Sequence, residues 1–413
     1  MSKLEELIEQ YCPDGVEYVP LSSIGTIKRG NGLQKKDFVK AGIGCIHYGQ
    51  IYTKFGLFTN KTLTYVDKEL ADHLLHIEKG DLVIACTSEN VEDVCKAVAW
   101  LGDDSIVTGG HSCVLHHNQN PKYIAYFFQT ESFQRQKRKY AYGTKVIDIK
   151  PDSIGKIEIP LPPLPVQEEI VRVLDTFTEL QAELQAELQK RKQQYNYYLD
   201  NLLNFKDISG GGYQAEVRWM KLKDVCMKTS NIKWKSTTGQ YRYIDLSSVD
   251  IQTHSIISTI EIDKMSAPSR AQQIVQEDDV IFATTRPTQM RACIIPTQYN
   301  GDICSTGYCV LRVDTKILLP RFLFFSLTVS GFKTYLSNNL TLGNYPSISN
   351  NTLLEYEVPV PSLANQQRIV AILDRFDRLT NDLNAGLPAE IEKRRQQYEY
   401  YRDKLLTFKR EGA

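Results

Sequence analysis

Apolar residues recur at helical spacing in two long segments of the chain. From Val166 to Phe205 they follow one another mostly at steps of three and four residues, and the same spacing returns from Ile369 to Phe408. Such spacing places the apolar side chains along one face of an α-helix. A proline-rich stretch precedes each segment and suits the first turn of a helix. The pattern predicts two long helices whose apolar stripes bury each other as an antiparallel coiled coil.

The two helical segments belong to a repeat that runs through the sequence. Ile159-Pro160-Leu161-Pro162 returns as Val358-Pro359-Val360-Pro361, and both copies continue with matching Gln, Ile-Val and Leu-Asp positions. Further on, Lys-Arg-Lys-Gln-Gln-Tyr at 190–195 returns as Lys-Arg-Arg-Gln-Gln-Tyr at 393–398. Because a long internal match is the signature of a duplicated structure, we expect two copies of one architecture.

The regions between the repeat segments predict two globular domains. Short runs rich in β-branched residues at Gly80–Cys86 and Asp278–Ala283 predict matching strands, and aromatic runs after Pro121 and Pro320 predict short buried helices. We therefore predict the α+β class, with two mixed α/β domains separated by the two long helices and related by a pseudo-twofold repeat. The predicted segments are a first domain with an N-terminal helix at 1–158, a first repeat helix at 159–206, a second domain at 207–357 and a second repeat helix at 358–413.

Glycine and proline residues mark two interruptions in this plan. Ser209-Gly210-Gly211-Gly212 predicts a linker where the second half begins. Gly386 and Pro388 fall inside the second helical pattern. A proline in a helix interior costs about 3 kcal/mol, so we expect the second helix to kink or break there.

The composition is that of a globular protein, and its charge is balanced. The chain has 413 residues, of which 42% are hydrophobic, with 49 basic and 49 acidic side chains. No apolar run reaches the roughly 18 residues that span a bilayer, and the acidic N-terminus is unlike a signal peptide. Nine cysteines without CxxC spacing favour reduced thiols, so we expect a cytoplasmic protein. With no net charge, any binding of nucleic acid must come from local patches.

The sequence contains no recognisable catalytic motif. A P-loop, a nucleophile elbow and the Asn-Pro-Pro-aromatic tetrad of amino-methyltransferases are absent, and Gly30-Asn31-Gly32 predicts a turn because it lacks the third glycine of a dinucleotide fingerprint. His73 and His76, like Cys113 and His116, have metal-ligand spacing but no second pair to complete a site. We predict no catalytic residue and no metal site.

Basic residues interleaved with aromatic ones indicate binding of nucleic acid. Residues 134–145 hold five cations, two tyrosines and no acid, and Arg218–Arg242 holds seven cations and one acid. Phosphates attract such clusters, and aromatic rings between them can support bases or sugars. Acids concentrate at Asp67–Asp104, and this polarity within one domain favours a directed DNA face. A solvated surface remains the alternative for each single patch.

The doubled motif and its duplicated order resemble the specificity subunit of type I restriction-modification systems, over essentially the whole chain. The resemblance implies a DNA sequence-specificity subunit that recognises a bipartite, asymmetric site in double-stranded DNA, one half for each target recognition domain. It implies that the repeat helices form a spacer and bind two methyltransferase subunits, with restriction subunits joining outside. The chain itself would be non-catalytic and hold no cofactor, whereas S-adenosylmethionine, ATP and Mg would be bound by partner subunits. No membrane partner is implied.

Candidate contact residues follow from side-chain chemistry within this picture. Arginine pairs favourably with guanine, asparagine and glutamine pair with adenine, and tyrosines dominate protein interfaces. For each DNA candidate a plain surface loop is the competing interpretation, and the tyrosines could instead pack on the recognition domains. The candidates for DNA binding are Lys28, Arg29, Lys35, Lys36, Ser88, Asn90, Lys137, Arg138, Lys145, Lys233, Lys235, Arg242, Arg286, Gln289, Arg291, Asn344 and Tyr345. The candidates for partner binding are Tyr197, Tyr198, Tyr400 and Tyr401.

Two other functions compete with this interpretation. A coiled-coil scaffold without a DNA role would explain the repeat helices, although the basic and aromatic clusters argue against it. An enzyme that fuses methylation with recognition is rejected because the methyltransferase tetrad is absent. Within the first helix, Leu180, Leu184 and Leu188 mark a four-residue unit in tandem. We hypothesise that the number of these units sets the distance between the two half-sites.

Overall fold

The computed structural model describes residues 3–205, 217–341, 343, 345–381 and 385–412. The predicted linker Ser209–Gly212 lies outside these residues. By its internal contacts the chain forms two compact units, the first made of Met1–Ala182 with Lys393–Ala413 and the second of Glu183–Glu392. The four-segment division drawn from the sequence follows the repeat instead, and it stays a prediction.

The first unit combines short strands and short helices with the beginning of one long helix. Its strands and helices are α1 (Lys3–Tyr11), β1 (Tyr18–Pro20), α2 (Leu21–Ile24), β2 (Gly25–Arg29), β3 (Ile43–Ile46), α3 (Tyr48–Thr53), β4 (Phe58–Thr59), β5 (Thr64–Val66), α4 (Lys68–Ala71), β6 (Leu75–Ile77), β7 (Leu82–Ala85), β8 (Thr87–Ser88), β9 (Ala97–Trp100), β10 (Ile106–Thr108), β11 (Ser112–His117), α5 (Pro121–Phe127), α6 (Glu131–Lys137), β12 (Ile147–Asp148), α7 (Pro151–Gly155), β13 (Glu158–Pro160) and α8 (Leu164–Leu203).

Two mixed sheets form the centre of the first unit. One has the strand order β5-β3-β10-β6 and the other β2-β11-β7-β9-β4, while β1 pairs with β13 and β12 with β8. Every residue of β7 and β9 is buried, which explains why these strands are continuous apolar runs without polar alternation. The strand predicted at Gly80–Cys86 is therefore confirmed as β7.

The second unit repeats the main strands of the first, with fewer short elements among its described residues. Its strands and helices are β14 (Arg218–Lys221), α9 (Leu222–Val225), β15 (Cys226–Met227), β16 (Tyr241–Ile244), β17 (Ile260–Ile262), β18 (Ala271–Ile274), β19 (Val280–Ala283), β20 (Ala292–Ile294), β21 (Ile303–Ser305), β22 (Tyr308–Val313), α10 (Pro320–Ser326), α11 (Ser330–Asn338), α12 (Asn350–Leu354), β23 (Glu357–Val360), α13 (Leu363–Asn381) and the beginning of α14 (Gly386–Leu405), whose residues from Lys393 on belong to the first unit. The strand predicted at Asp278–Ala283 is confirmed as β19.

The sheets of the second unit have the strand order of those in the first, except that no described strand corresponds to β4 at the edge of the five-stranded sheet. One sheet runs β17-β16-β21-β18 and the other β15-β22-β19-β20, and β14 pairs with β23 as β1 pairs with β13. Strand β16 lies parallel to β21, as β3 lies parallel to β10. The predicted duplication of a mixed α/β fold is thus confirmed.

A buried glutamine near the start of each repeat helix explains one position that the two copies of the repeat motif share. The Gln167 side chain donates a hydrogen bond to the carbonyl of Pro162 at 2.8 Å and accepts one from the Asn120 N–H at 3.1 Å. Gln366 forms the equivalent pair of bonds in the second unit. Because a buried amide must find partners for both its donor and its acceptor, these glutamines fix the start of the helix to the preceding loop.

Each unit pairs a segment of one repeat helix with the far end of the other repeat. In the first unit, Phe177 stacks on Tyr401 with ring centroids 5.5 Å apart. The second unit has the equivalent contact, since Phe376 stacks on Tyr198 at 5.2 Å. Pairing of the two repeat helices is therefore confirmed within each unit, and both repeat copies contribute to each pair.

The interruption expected in the second repeat helix is also found. Helix α13 ends at Asn381 and α14 begins at Gly386, while residues 382–384 lie outside the described part of the chain. Gly386 has a φ of +68°, and a Cβ there would lie 2.6 Å from the carbonyl oxygen of Leu379. Pro388 occupies the first turn of α14, where a backbone N–H has no helical acceptor to lose.

Two of the nine cysteines depart from the expected reduced thiols. Cys86 and Cys113, which lie on neighbouring chain segments beside β7 and in β11, are joined as a disulfide. The other seven cysteines are free. CxxC spacing gave no signal for this pair because its members come together only through the antiparallel pairing of β7 with β11. Among the described residues, no helix combines the length and the hydropathy of a bilayer-spanning segment.

Candidate nucleic-acid interface

In the second unit the structure brings together two loops that carry predicted DNA contacts. The loop after β19 and the turn around Tyr345 meet through an isolated bridge between Thr285 and Ser347. The Arg286 N–H also donates to the carbonyl of Pro346 at 2.7 Å. Because these bonds hold the loops side by side, Arg286 and Tyr345 lie on one surface although they are far apart in the sequence.

Arg286 is held in an orientation that projects from this surface. Its φ of +50° lies in the left-handed region, as does the φ of +56° of Met290 at the other end of the same short turn. Such backbone costs about 1–3 kcal/mol per residue and concentrates at functional sites. The guanidinium carbon lies 4.9 Å from the centre of the Tyr345 ring, which is 64% exposed. This cation–π contact leaves the guanidinium edge available to a ligand.

The remaining candidates of the second unit differ in exposure. Gln289 is exposed on the same turn as Arg286, whereas Asn344 lies outside the described residues. Lys233 and Lys235 are exposed on either side of Trp234, whose indole N–H donates to the carbonyl of Ala271 at 2.7 Å. These cations can therefore meet a phosphate backbone, which is read by charge alone.

Two arginines of the second unit are committed to the protein itself. Arg242 donates to the carboxylate of Asp302 at 2.8 Å, and its guanidinium lies over the ring of Tyr299 at 4.6 Å. Arg291 donates to the carbonyl of Val249. Because both guanidinium groups already have protein acceptors, their predicted DNA contacts have no support in the structure.

The first unit has the equivalent pair of loops. Strand β8 pairs with β12, which places Ser88 opposite Ile147 and joins the loop after β7 to the hairpin from Tyr142 to Asp148. Lys145 is exposed at the tip of this hairpin, with Tyr142 and Val146 exposed beside it. Ser88, Asn90 and Lys145 therefore lie on loops equivalent to those that carry Arg286 and Tyr345 in the second unit.

Ser88 and Asn90, two of the residues predicted to contact bases, form hydrogen bonds within their own loop. The Asn90 carboxamide donates to the Asp93 carboxylate at 2.8 Å and accepts the Asp93 N–H at 2.7 Å. Its backbone N–H donates to the Ser88 hydroxyl at 3.4 Å. These bonds use one of the two amide hydrogens and one of the two oxygen lone pairs of Asn90, so its base contact stays a prediction.

Lys137 is the clearest error among the predicted contacts. It is 1% exposed, and its ammonium group donates to the carbonyls of Glu92 and Val94, both at 2.7 Å. Burial lowers the pKa of the Lys137 ammonium to about 8. A buried lysine bonded to main-chain carbonyls cannot reach DNA. Its neighbour Arg138 is exposed and lies 3.7 Å from Glu131, a separation at which a surface ion pair contributes little.

The basic residues near the start of the chain also differ in role. Arg29 makes a two-point contact with the carboxylate of Asp148 at 3.0 and 2.7 Å and donates to the carbonyl of Gly110 at 2.9 Å. It therefore fastens the hairpin of the first unit and is not free to bind phosphate. Lys28, Lys35 and Lys36 are exposed and remain candidates.

A cluster of rings beside these loops was missed in the sequence. His47, Tyr48 and His111 follow one another in contact, with centroid distances of 4.6 Å and 4.7 Å. Burial, with smaller contributions from the charges of Lys35 and His111, lowers the pKa of His47. No spacing in the sequence could have identified this cluster, because the parallel pairing of β3 with β10 brings its members together.

The candidate partner tyrosines divide into two pairs. Tyr197 is 66% exposed and its repeat equivalent Tyr400 is 61% exposed. Tyr198 and Tyr401 instead stack on a phenylalanine of the opposite helix, as described above. Neighbouring positions on a helix point about 100° apart, so only one of each pair faces the helical partner. The outward-facing candidates are therefore Tyr197 and Tyr400.

Metal-ligating side chains are not clustered in the described part of the chain. No group of three or more His, Cys, Asp or Glu residues there could hold a metal ion. Cys113 is joined to Cys86, and His116 bonds to the carboxylate of Asp81 with 2.6 Å between Nδ1 and Oδ1. The Gly30-Asn31-Gly32 segment forms a turn, with a φ of +69° at Gly32.

Two copies of one mixed α/β unit, each with a matching pair of loops and a share of both repeat helices, define a duplicated recognition protein. The family model for the type I restriction modification DNA specificity domain matches residues 13–194 and again residues 214–393. The chain belongs to this family of type I restriction-modification specificity subunits, whose function is DNA sequence recognition. The resemblance drawn from the repeat motif is confirmed.

Individual relatives agree with this assignment along the whole chain. The chain is 30% identical to the EcoR124I/EcoR124II specificity subunit of Escherichia coli, over 99% of this chain and 97% of the relative. It is 28% identical to a putative type I restriction enzyme specificity subunit of Haemophilus influenzae, over 98% of each.

Solved structures show the same fold. A chain from a structure of the type I R-M system, concerned with complex assembly and conformational transition, matches with a TM-score of 0.65 and 15% identity, over 96% of this chain and 98% of that one. The type I S subunit of M. genitalium matches with a TM-score of 0.52 and 16% identity, over 95% and 96%.

Proposed function

We propose that this chain recognises a bipartite, asymmetric DNA site, with one unit reading each half. The observation that carries the proposal is the duplication of the loop pair, because each unit places two loops with exposed polar and basic side chains side by side. The loops themselves differ, since Ser88 of the first unit stands where Arg286 stands in the second. Different side chains on equivalent loops predict two different half-site sequences.

The partners follow from the proposed role. Two methyltransferase subunits bind the repeat helices and restriction subunits join outside them, and the chain positions both kinds of subunit on the DNA. S-adenosylmethionine, ATP and Mg belong to those partners. The chain alone is a non-catalytic subunit, consistent with a sequence that carries neither a methyltransferase tetrad nor a P-loop.

Reconstitution with a methyltransferase subunit tests this function. We expect the purified chain to leave DNA unmethylated, and the chain with its cognate methyltransferase subunit to methylate adenine at a two-part, non-palindromic site. The measurement is modified-base sequencing of a genomic library treated in vitro. The control is the methyltransferase subunit without this chain. Methylation by the chain alone, or a complex that modifies a single uninterrupted sequence, would contradict the proposal.

The exposed tyrosines provide a second test, aimed at assembly. Replacing both Tyr197 and Tyr400 with Ala should weaken binding of the methyltransferase subunit by about tenfold or more, because buried aromatic anchors typically contribute above 1 kcal/mol each to an interface. Isothermal titration would measure the affinity, and thermal unfolding would show that the fold is kept. The matched control replaces Tyr142, an exposed tyrosine on the DNA-facing hairpin. Unchanged affinity in the double variant would show that these tyrosines are not anchors.

A further inference from the structure

A histidine of the first unit presents an oriented polar edge on the surface that also carries the predicted DNA contacts Ser88 and Asn90. His111 is exposed in the turn between β10 and β11. Its ring lies against the ring of Tyr48 with 4.7 Å between centroids. Its Nδ1 lies 2.9 Å from the hydroxyl of Thr87, which is buried at the start of β8. This tilted ring contact and the hydrogen bond together restrict both rotations of the imidazole.

The contact with Thr87 favours one tautomer of the ring, the one in which the hydroxyl donates to Nδ1. A buried hydroxyl needs an acceptor, and among the described residues Nδ1 of His111 is the acceptor within reach of the Thr87 hydroxyl. A neutral imidazole that accepts at Nδ1 carries its proton on Nε2. A protonated imidazole carries a proton on Nε2 as well. The exposed edge of His111 is therefore a hydrogen-bond donor in both charge states.

The His111 turn is fastened to the loops of the candidate interface. Arg29 donates to the carbonyl of Gly110 and also holds the carboxylate of Asp148 in β12. Asp148 in turn pairs with Thr87 in the short β8–β12 ladder. The three segments thus form one connected surface, and the direction of the Nε2–H bond is defined relative to the two loops that carry Ser88 and Lys145.

We propose that His111 is a specificity-determining residue for the half-site read by the first unit, donating from Nε2 to a base edge in the major groove. Guanine is the expected base, because it presents two acceptors there, O6 and N7. Thr87 and Tyr48 are positioning residues that aim the ring. A donor with one fixed direction suits a base edge, whereas the exposed Lys35 and Lys36 can follow the phosphate backbone.

The inference rests on the proposed function and is tested by base substitution within the mapped site. Full-length chain would be titrated against duplexes in which each base pair of the site is replaced in turn. His111→Phe keeps a ring against Tyr48 and removes the donor. We expect it to lose about tenfold discrimination at one base pair of the first half-site, with the second half unchanged. Thr87→Val should reduce discrimination at that same base pair, because the ring is no longer aimed.

The same titrations separate the possible outcomes. A uniform loss of affinity across all sequences in His111→Phe would indicate a phosphate contact and overturn the inference. So would unchanged discrimination at every base pair in a variant whose thermal unfolding remains cooperative. His111→Leu, which removes the donor and is smaller than Phe, replaces His111→Phe if the latter fails to fold, and the same loss at the same base pair is expected.

A matched variant distinguishes this inference from the proposed function. Arg286→Ala changes the equivalent loop of the second unit and should relax only the second half-site. If the wild-type chain discriminates both halves and His111→Phe does so equally well, the inference on His111 fails alone. If the wild-type chain shows no sequence preference in either half, the proposed bipartite recognition fails as well.

Discussion

Exchanging residues 207–357 for the corresponding segment of another specificity subunit should replace one half of the recognised DNA site and leave the other half unchanged. The described part of the segment begins beside the point where the second repeat begins, because β14 pairs with β23 and sets Met220 opposite Val358. A donor segment that offers the same entry strand can pair with Val358–Val360, which stay in place. Such closely spaced ends are the usual condition for a domain to be exchanged.

The core of the second unit defines what the donor must supply. Leu199 and Leu203 of α8 are buried against a cluster that includes Leu222 and Val225 of α9. Apolar residues at the α9 positions are therefore required for a stable hybrid, and each large-to-small change there would cost about 2–5 kcal/mol. A donor from the same family that keeps this pattern should fold on the recipient helices.

Methylation mapping measures the outcome of the exchange. Preference for the original second half should fall by at least about 10³-fold, which is the lower end of the ratio between specific and non-specific DNA binding. The first half serves as an internal control, since its continued methylation shows that the complex has assembled. A hybrid that changes both halves, or that keeps the original second half, would contradict independent reading by the two units.

The fold could be predicted from the sequence because its largest features are periodic and repeated. The spacing of apolar residues predicted a helix from Val166 to Phe205, and α8 spans Leu164–Leu203. Burial of one face selects residues at every third or fourth position, and that selection is visible in a single sequence. Gly386 likewise revealed the interruption, since its left-handed backbone is one that few other residues adopt.

From the sequence, the DNA-binding site could be predicted only as a set of loops. The number of basic residues in a segment does not show which of their side chains point to the surface. Lys137 belonged to a basic cluster, yet it shares a buried helix face with Phe133 four residues earlier. That spacing was a readable warning, as was the short separation of Asn90 from Asp93, which permits a local turn. His111, Tyr48 and Thr87 lie on three separate segments, and no local pattern relates them.

Deleting Gln181–Leu184 from α8 should keep both half-site sequences and shorten the unspecified gap between them. Four residues of helix correspond to about 6 Å, and B-DNA rises about 3.4 Å per base pair, so the gap should shorten by one or two base pairs. Four residues also turn a helix about 40° beyond a full turn, which partly follows the rotation of the duplex.

The burial of α8 makes this deletion a tolerable one. Leu174 and Leu199 are fully packed, but no residue of the helix between them is buried, and Leu180, Leu184 and Leu188 are only half-buried. Because the tandem unit repeats the same residues, removal of one unit restores a leucine at each equivalent position. The expected cost is therefore smaller than that of a deletion in a tightly packed core.

Two further variants of the same segment test whether the length of α8 sets the gap between the half-sites. Inserting one more Gln-Ala-Glu-Leu unit after Leu184 should lengthen the gap by one or two base pairs, opposite in sign to the deletion. Replacing Gln181 and Glu183 with Ala keeps the helix length and should leave the gap as it is. Sequencing of methylated DNA measures the unspecified gap between the half-sites. If the deletion and the insertion variants both keep the wild-type gap, the helix does not set the spacing. In that case the leucines of the tandem unit serve only to pack the helix pair, and the distance between half-sites must be fixed by the partner subunits.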